Sequence, residues 1–120
     1  MKAVSNTTPL IYLYKSSLLP LLKTLHQSVL ITEEVYKEAV IKGELRGYND
    51  AISIKDAVRD WILVKKVSAA IKTAKMFADA YSFKVIGTGK LIDEGLEKGF
   101  ISKSDYERFL EVIGYAAYAA

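Results

Sequence analysis

Cysteine is absent from this sequence, and histidine occurs once, at His26. The first absence excludes a disulfide framework, and the two together leave no Cys/His set for structural zinc. No apolar run approaches the length of a bilayer span, and the chain does not open on the charged, apolar and small-residue succession of a signal peptide. A soluble, cytoplasmic protein with no membrane partner is therefore expected. Proline occurs twice, at Pro9 and Pro20, both where a helix start tolerates it.

No charge of one sign dominates. Seventeen basic and 14 acidic residues give a formal net charge of +3, and they are interspersed rather than blocked. Such a balance serves solubility, whereas nucleic-acid binders carry a denser basic stripe. Lys65, Lys66, Lys72, Lys75, Lys84 and Lys90 thicken the basic content of the second half. They make an RNA-binding surface only if the fold brings them onto one face.

What is present is a sizeable core. With 51% hydrophobic content in 120 residues, one domain can bury about two thirds of its unfolded surface. No internal repeat or linker divides residues 1–120, and the repetitive tail from 113 to 120 is expected to fray or to pack on a neighbour. Strands are predicted near 2–5, 61–67 and 83–86, where apolar and β-branched residues crowd short runs. Between them the spacing predicts helices. Thr8 and Pro9 start the first, and Leu18 to Leu25 form a second. Val29 to Ile31 read as a brief apolar link, after which Thr32, Glu33 and Glu34 start a helix that Gly43 stops near Lys42. Further helices are expected from Asp50 to Arg59, Ala69 to Tyr81 and Thr88 to Lys98. A final helix beyond Gly99 is the best signed, with a capping-box pattern at Ser102 and Asp105 and one face of Tyr106, Phe109, Leu110 and Ile113. Strands alternating with helices predict an α/β fold: a small three-layer α/β/α domain with a reduced parallel sheet.

Four stretches, in order, resemble the PIN-domain superfamily and its VapC-like toxin ribonucleases. They are Ser5 to Leu10, the helix Thr32 to Val40, the strand entry Trp61 to Val64, and Phe83 to Gly89. Lys90 to Ile101 is similar to that family's closing helix and turn. The resemblance implies a site of clustered carboxylates holding Mg²⁺ or Mn²⁺, which activates water against a phosphodiester. Carried over by position, the first acid of that site is Asn6 here, its polar neighbour is Thr7, and the second acid is Glu38. The third has no counterpart, because the helix that should follow the Trp61 strand is missing. The fourth falls on Ala70 and Ile71. One acid of four remains, so Glu38 is the sole candidate metal ligand, and no cofactor is expected.

The resemblance, with those losses, implies a shortened, degenerate PIN-like domain without nuclease activity, acting as a binding or regulatory module. Its partners would be a second copy of itself or an antitoxin-like protein. A missing strand beside the first one requires the strand at 83–86 to move in, or a partner chain to supply the pairing, so a homodimer is expected. Two alternatives stand beside this reading: a Mg²⁺- or Mn²⁺-dependent endoribonuclease with an incomplete acidic site, and an RNA-binding protein that does not cleave.

Each candidate residue also has a plain structural reading. Asn6 suits a turn, Thr7 and Thr8 suit a helix start, and Glu38 would pair with Lys42 one turn on. Gly87-Thr88-Gly89-Lys90 lacks the spacing of a phosphate loop. His26 reads as the end of a helix, and Asp93, Glu94 and Glu97 as a solvated face. Asp56 and Asp60 lie four apart with Arg59 between them. The eight tyrosines are spread out and suit the core margin or an oligomer surface rather than a stacking platform for bases.

Overall fold

The computed structural model describes residues 3–67, 74–81 and 83–114. Its frame is a four-stranded parallel sheet in the order β3-β2-β1-β4, made of β1 (Ala3–Val4), β2 (Val29–Thr32), β3 (Ile62–Lys65) and β4 (Lys84–Val85). In register, Val4 lies beside Leu30 and Val85, and Leu30 beside Leu63. The strand near residue 84 does pair with the first strand, so β1 is bonded on both sides and the open edges belong to β3 and β4.

β2 corrects the sequence reading, which took Val29 to Ile31 for a link. All four of its residues are buried, because it runs through the interior of a sheet covered on both faces. Such a strand shows an unbroken apolar run rather than alternation. Four residues of that kind are too few to be told from a connector.

Helices cover both faces, as a three-layer α/β/α domain requires. On one side Ala3, Val29, Ile31 and Ile62 join the main core. The helices of that core include α1 (Thr7–Lys15), α2 (Pro20–His26), α5 (Asn49–Val58), α7 (Thr88–Glu97) and α8 (Lys103–Val112). On the other side Val4 and Leu30 pack with Phe77 of α6 (Ala74–Tyr81), which is fully buried. Phe83 and Tyr81 surround Phe77, with its ring centroid 5.0 Å from that of Tyr81 and 5.4 Å from that of Phe83.

The helix after β2 begins as expected: Thr32 Oγ1 accepts a bond from the Val35 amide at 3.2 Å. It does not stop at Gly43. The chain runs as α3 (Glu33–Tyr36), a π turn (Lys37–Ile41) and α4 (Lys42–Leu45). Gly43 is buried against α5, where a Cβ would lie 2.7 Å from that of Ala51. It is a contact point between two helices. Gly47, at φ +72°, is the terminator. The Tyr48 amide bonds the Gly43 carbonyl at 2.9 Å and the Gly47 amide bonds the Glu44 carbonyl at 3.0 Å, a Schellman closure.

Of the remaining sequence expectations, the helix at 69–81 is seen from Ala74, and 68–73, with the tail at 115–120, lie outside the described residues. The capping box of α8 forms as predicted, with Ser102 and Asp105 each accepting from the other's amide.

Candidate functional site

Parallel strands that each feed a helix place several helix starts at one end of the sheet, the usual address of ligand sites in open α/β folds. At the carboxyl end of β1 the Ser5 amide bonds the Leu30 carbonyl at 3.0 Å, and the Ser5 hydroxyl donates to the Asn6 carbonyl at 2.8 Å. Asn6 follows in extended conformation as the residue preceding α1, exposed, and its side chain makes no capping bond to that helix. The sequence reading gave the cap to Thr8. The helix begins one residue earlier, at Thr7, which moves the cap position to Asn6.

Thr7 is 7% exposed, and its Oγ1 is buried without a hydrogen-bond partner among the described residues. An orphaned hydroxyl of this kind costs about 1–3 kcal/mol. The group that would assist a metal in the family pattern is thus shut away from solvent.

Glu38 sits on the π turn and is exposed. The expected ion pair with Lys42 does not form. The π turn, whose Lys42 amide bonds the Lys37 carbonyl five residues back, carries Lys42 out of the one-turn register of an α-helix. An acid that the sequence reading passed over is Asp50, 7% exposed in the first turn of α5. The partial positive charge of a helix start favours a carboxylate there. Its signal in the sequence was an ordinary acidic first-turn residue, indistinguishable from a solvated one.

These groups do not make a cation site. Among the described residues, no three His, Asp or Glu side chains come close enough to share a metal ion. The family positions supply one neutral amide, one buried hydroxyl and one solvated carboxylate. Hard divalent cations need several charged or carbonyl oxygens at once, so this donor set does not fit Mg²⁺ or Mn²⁺. Ala70 and Ile71, the positions of the last family acid, lie outside the described residues.

The lysines do not converge either. Lys65 ends β3 and Lys66 follows it, whereas Lys84 opens β4 at the opposite edge of the sheet. Three inter-strand steps separate these edges, about 14 Å. Lys75 faces outward on α6 and is paired with Asp79 at 3.1 Å, and Lys72 lies outside the described residues. Gly87 precedes α7 in extended backbone, with nothing within 4 Å of an added Cβ, so no close backbone approach requires a glycine there.

A cavity of about 270 Å³ lies between β4 and α7, lined by His26, Lys84, Lys90 and Glu94 among others. His26 does end α2, as its sequence context suggested. Burial holds its pKa below the usual imidazole value, and Lys84 and Lys98 push the same way against an opposing pull from Glu94. Glu94 itself is held low by its hydrogen bond from Lys98, at 2.8 Å. Asp56 and Asp60 share no cation, since Asp60 is bonded to Lys23 at 3.0 Å.

The order of these elements is that of a known family: comparison with family models matches residues 2–74 to a PIN domain. The chain belongs to the PIN-domain family. No curated protein and no solved structure matches it. The matched stretch contains β1, β2, β3, the π turn with Glu38, and the Asn6-Thr7 turn. It ends where α6 begins, so β4, α7 and α8 lie outside the matched region.

Proposed function

We propose that this chain is a PIN domain whose metal-nuclease site has been dismantled, and that it acts as a binding or regulatory module in the cytoplasm. It is closest in character to the VapC-like branch, and its partners are a second copy of itself or an antitoxin-like protein. The observation that carries this reading is the donor set at the family positions: an amide at Asn6 and a buried hydroxyl at Thr7 after β1, and an exposed carboxylate at Glu38 on the π turn. Two-metal hydrolysis needs cations clamped beside the attacking and leaving oxygens, and an amide, a buried hydroxyl and one carboxylate are a poor donor set for such a clamp.

Self-association draws support from the sheet edge. β3 is an outer strand on which Leu63 and Val64 are 44% and 38% exposed, on opposite faces. An open edge with apolar neighbours is a template for strand pairing, and a two-fold dimer satisfies it with one interface. Light scattering at micromolar concentration is expected to report a dimer, and a monomer would remove this part of the proposal.

The decisive experiment is calorimetric titration with Mg²⁺ and Mn²⁺, followed by incubation with single-stranded RNA. No saturable metal heat and no metal-dependent cleavage are expected. Cleavage that appears with Mn²⁺ and disappears in Glu38→Ala would overturn the reading in favour of a surviving endoribonuclease.

A further inference from the structure

The two edges of the sheet are not alike. β3 offers apolar side chains to a second copy, whereas the edge of β4 opens beside the cavity of about 270 Å³ between β4 and α7. The Ile86 amide bonds the Val4 carbonyl at 2.9 Å, and Val4 lies in register with Val85. Amides and carbonyls alternate in direction along a strand, so those of Val85 point away from β1. They are the unpaired groups of an open edge, the template to which another strand adds. Gly87 continues the extended backbone past Ile86 and lengthens that edge.

The two flanks of this edge differ in chemistry, because side chains alternate across a strand. Lys84 and Ile86 face α7. There Ile86 and Leu91 are buried at the floor of the cavity, and Lys84, Lys90 and His26 stand around it. Lys84 and Lys90 are exposed, and neither forms an ion pair among the described residues. The carboxylate of the same wall, Glu94, is engaged by Lys98 at 2.8 Å. On the other flank Val85 and Phe83, both half-buried, pack with Phe77 of α6. The edge thus joins an uncompensated positive wall on one side to apolar surface on the other.

We infer that the open edge of β4 receives an extended peptide segment of a protein partner, one that turns a carboxylate toward α7 and apolar side chains toward α6. Main-chain pairing to Val85 would supply the affinity and the two flanks the selection. The strand alternation of such a segment matches the flanks, acid on one face and apolar residues on the other. Neither edge strand of a second copy fits, since Phe83 to Ile86 and Ile62 to Lys65 contain no acid. A nucleic-acid strand would answer Lys84 and Lys90 but leave the Val85 amide and carbonyl unpaired and the apolar flank bare.

This inference gives the binding-module reading a class of partner and rests on it, but the two fail separately. RNA cleavage would sink the module reading, whereas the experiment here tests the edge alone. The full chain, labelled with ¹⁵N, is titrated with acetyl-Thr-Val-Glu-Val-Thr-amide, with the same peptide carrying glutamine for glutamate, and with versions N-methylated at alternate residues in either phase. The Val85 and Gly87 amide resonances and the exchange rate of the Val85 amide are followed.

Saturable shifts of both amides and slowed exchange at Val85 are the expected result, weaker with the glutamine peptide and abolished by N-methylation in one phase only. Lys90→Gln should weaken binding about threefold, the effect of losing one exposed ion pair. Val85→Pro should stay folded, because proline is tolerated on an edge strand where its missing amide hydrogen would face outward, and should lose the peptide. Silence of both amides, equal response to the glutamine peptide, or binding that survives N-methylation in both phases would overturn the assignment. Single-stranded RNA that shifts the same amides and displaces the peptide would overturn it in favour of a nucleic-acid groove.

Discussion

Arg108 donates its Nε–H to the main-chain carbonyl of Ser16 at 2.7 Å, across 92 residues of chain. The same guanidinium bonds Asp105 at 2.7 Å, and Asp105 accepts from the Ser102 amide at 2.9 Å. One side chain thus ties the start of α8 to the close of α1. Arg108→Ala should lower stability by about 1–2 kcal/mol, the worth of a charged hydrogen bond at a partly exposed site. Urea unfolding measures it, and an unshifted midpoint would show that the bracket contributes nothing.

Asp105 gives this bracket a pH dependence. The Ser102 amide first, and then the Arg108 guanidinium, hold its pKa below the usual aspartate value. A depressed carboxylate stabilises the fold above its unfolded pKa and loses that contribution as pH falls through the folded value. Asp105→Asn should therefore flatten the loss of stability below about pH 4. Parallel acid slopes for parent and variant would contradict this.

His26 acts in the opposite direction of charge. Its folded pKa lies below the usual imidazole value of about 6.5, chiefly through burial and then Lys84. The unfolded chain binds the proton more readily, so stability declines as pH falls from about 6.5 through the folded value and is flat above. Titration of the imidazole by NMR, free of overlap because His26 is the single histidine, should give a midpoint under that of a model peptide. A midpoint at or above 6.5 would reverse the assignment.

Gly43 is predicted to resist substitution for a reason unrelated to helix ends. A Cβ there would meet the Ala51 Cβ at 2.7 Å, so Gly43→Ala must push α4 and α5 apart, costing about 1–3 kcal/mol. Ala51→Gly should recover much of the loss when combined with it, beyond the sum of the single changes. Were Gly43 only a helix stop, the double variant would be additive.

Asn6→Asp should leave the protein without metal-dependent cleavage and without saturable Mg²⁺ binding. The change restores one carboxylate beside a buried Thr7 hydroxyl and leaves Glu38 as the one other acid at the family positions. Calorimetry and an RNA assay check it together, and activity in this single variant would show that the rest of the site is intact.

Much of the architecture could be read from the chain because its signals are local. The Ser102 and Asp105 pattern, the apolar run after Trp61 and the helix face of Phe77 and Ala78 each depend on a few neighbouring residues. What escaped depends on distant ones. β2 is a strand because of what covers it on two faces, Gly43 is a contact because Ala51 lies opposite, and the π turn moved Lys42 away from Glu38. The loss at the candidate site was legible at Asn6, since a missing charge is visible in one letter. The burial of the Thr7 hydroxyl was not, because it depends on what packs over the start of α1.

The two-residue pairing of β1 with β4 bears on how the molecule assembles. Ala3 must meet Lys84 and Val4 must meet Val85, closing a loop of roughly eighty residues for a short ladder, whereas β2 and β3 are joined through a single helical hairpin. Long closures are paid before their contacts return anything. The three strands within residues 2–74 are therefore expected to order first, and the closing segment to dock last, so that β4 is the strand most readily released. A chain interrupted by a stalled ribosome after β3 would already hold most of the sheet's order but none of its final edge.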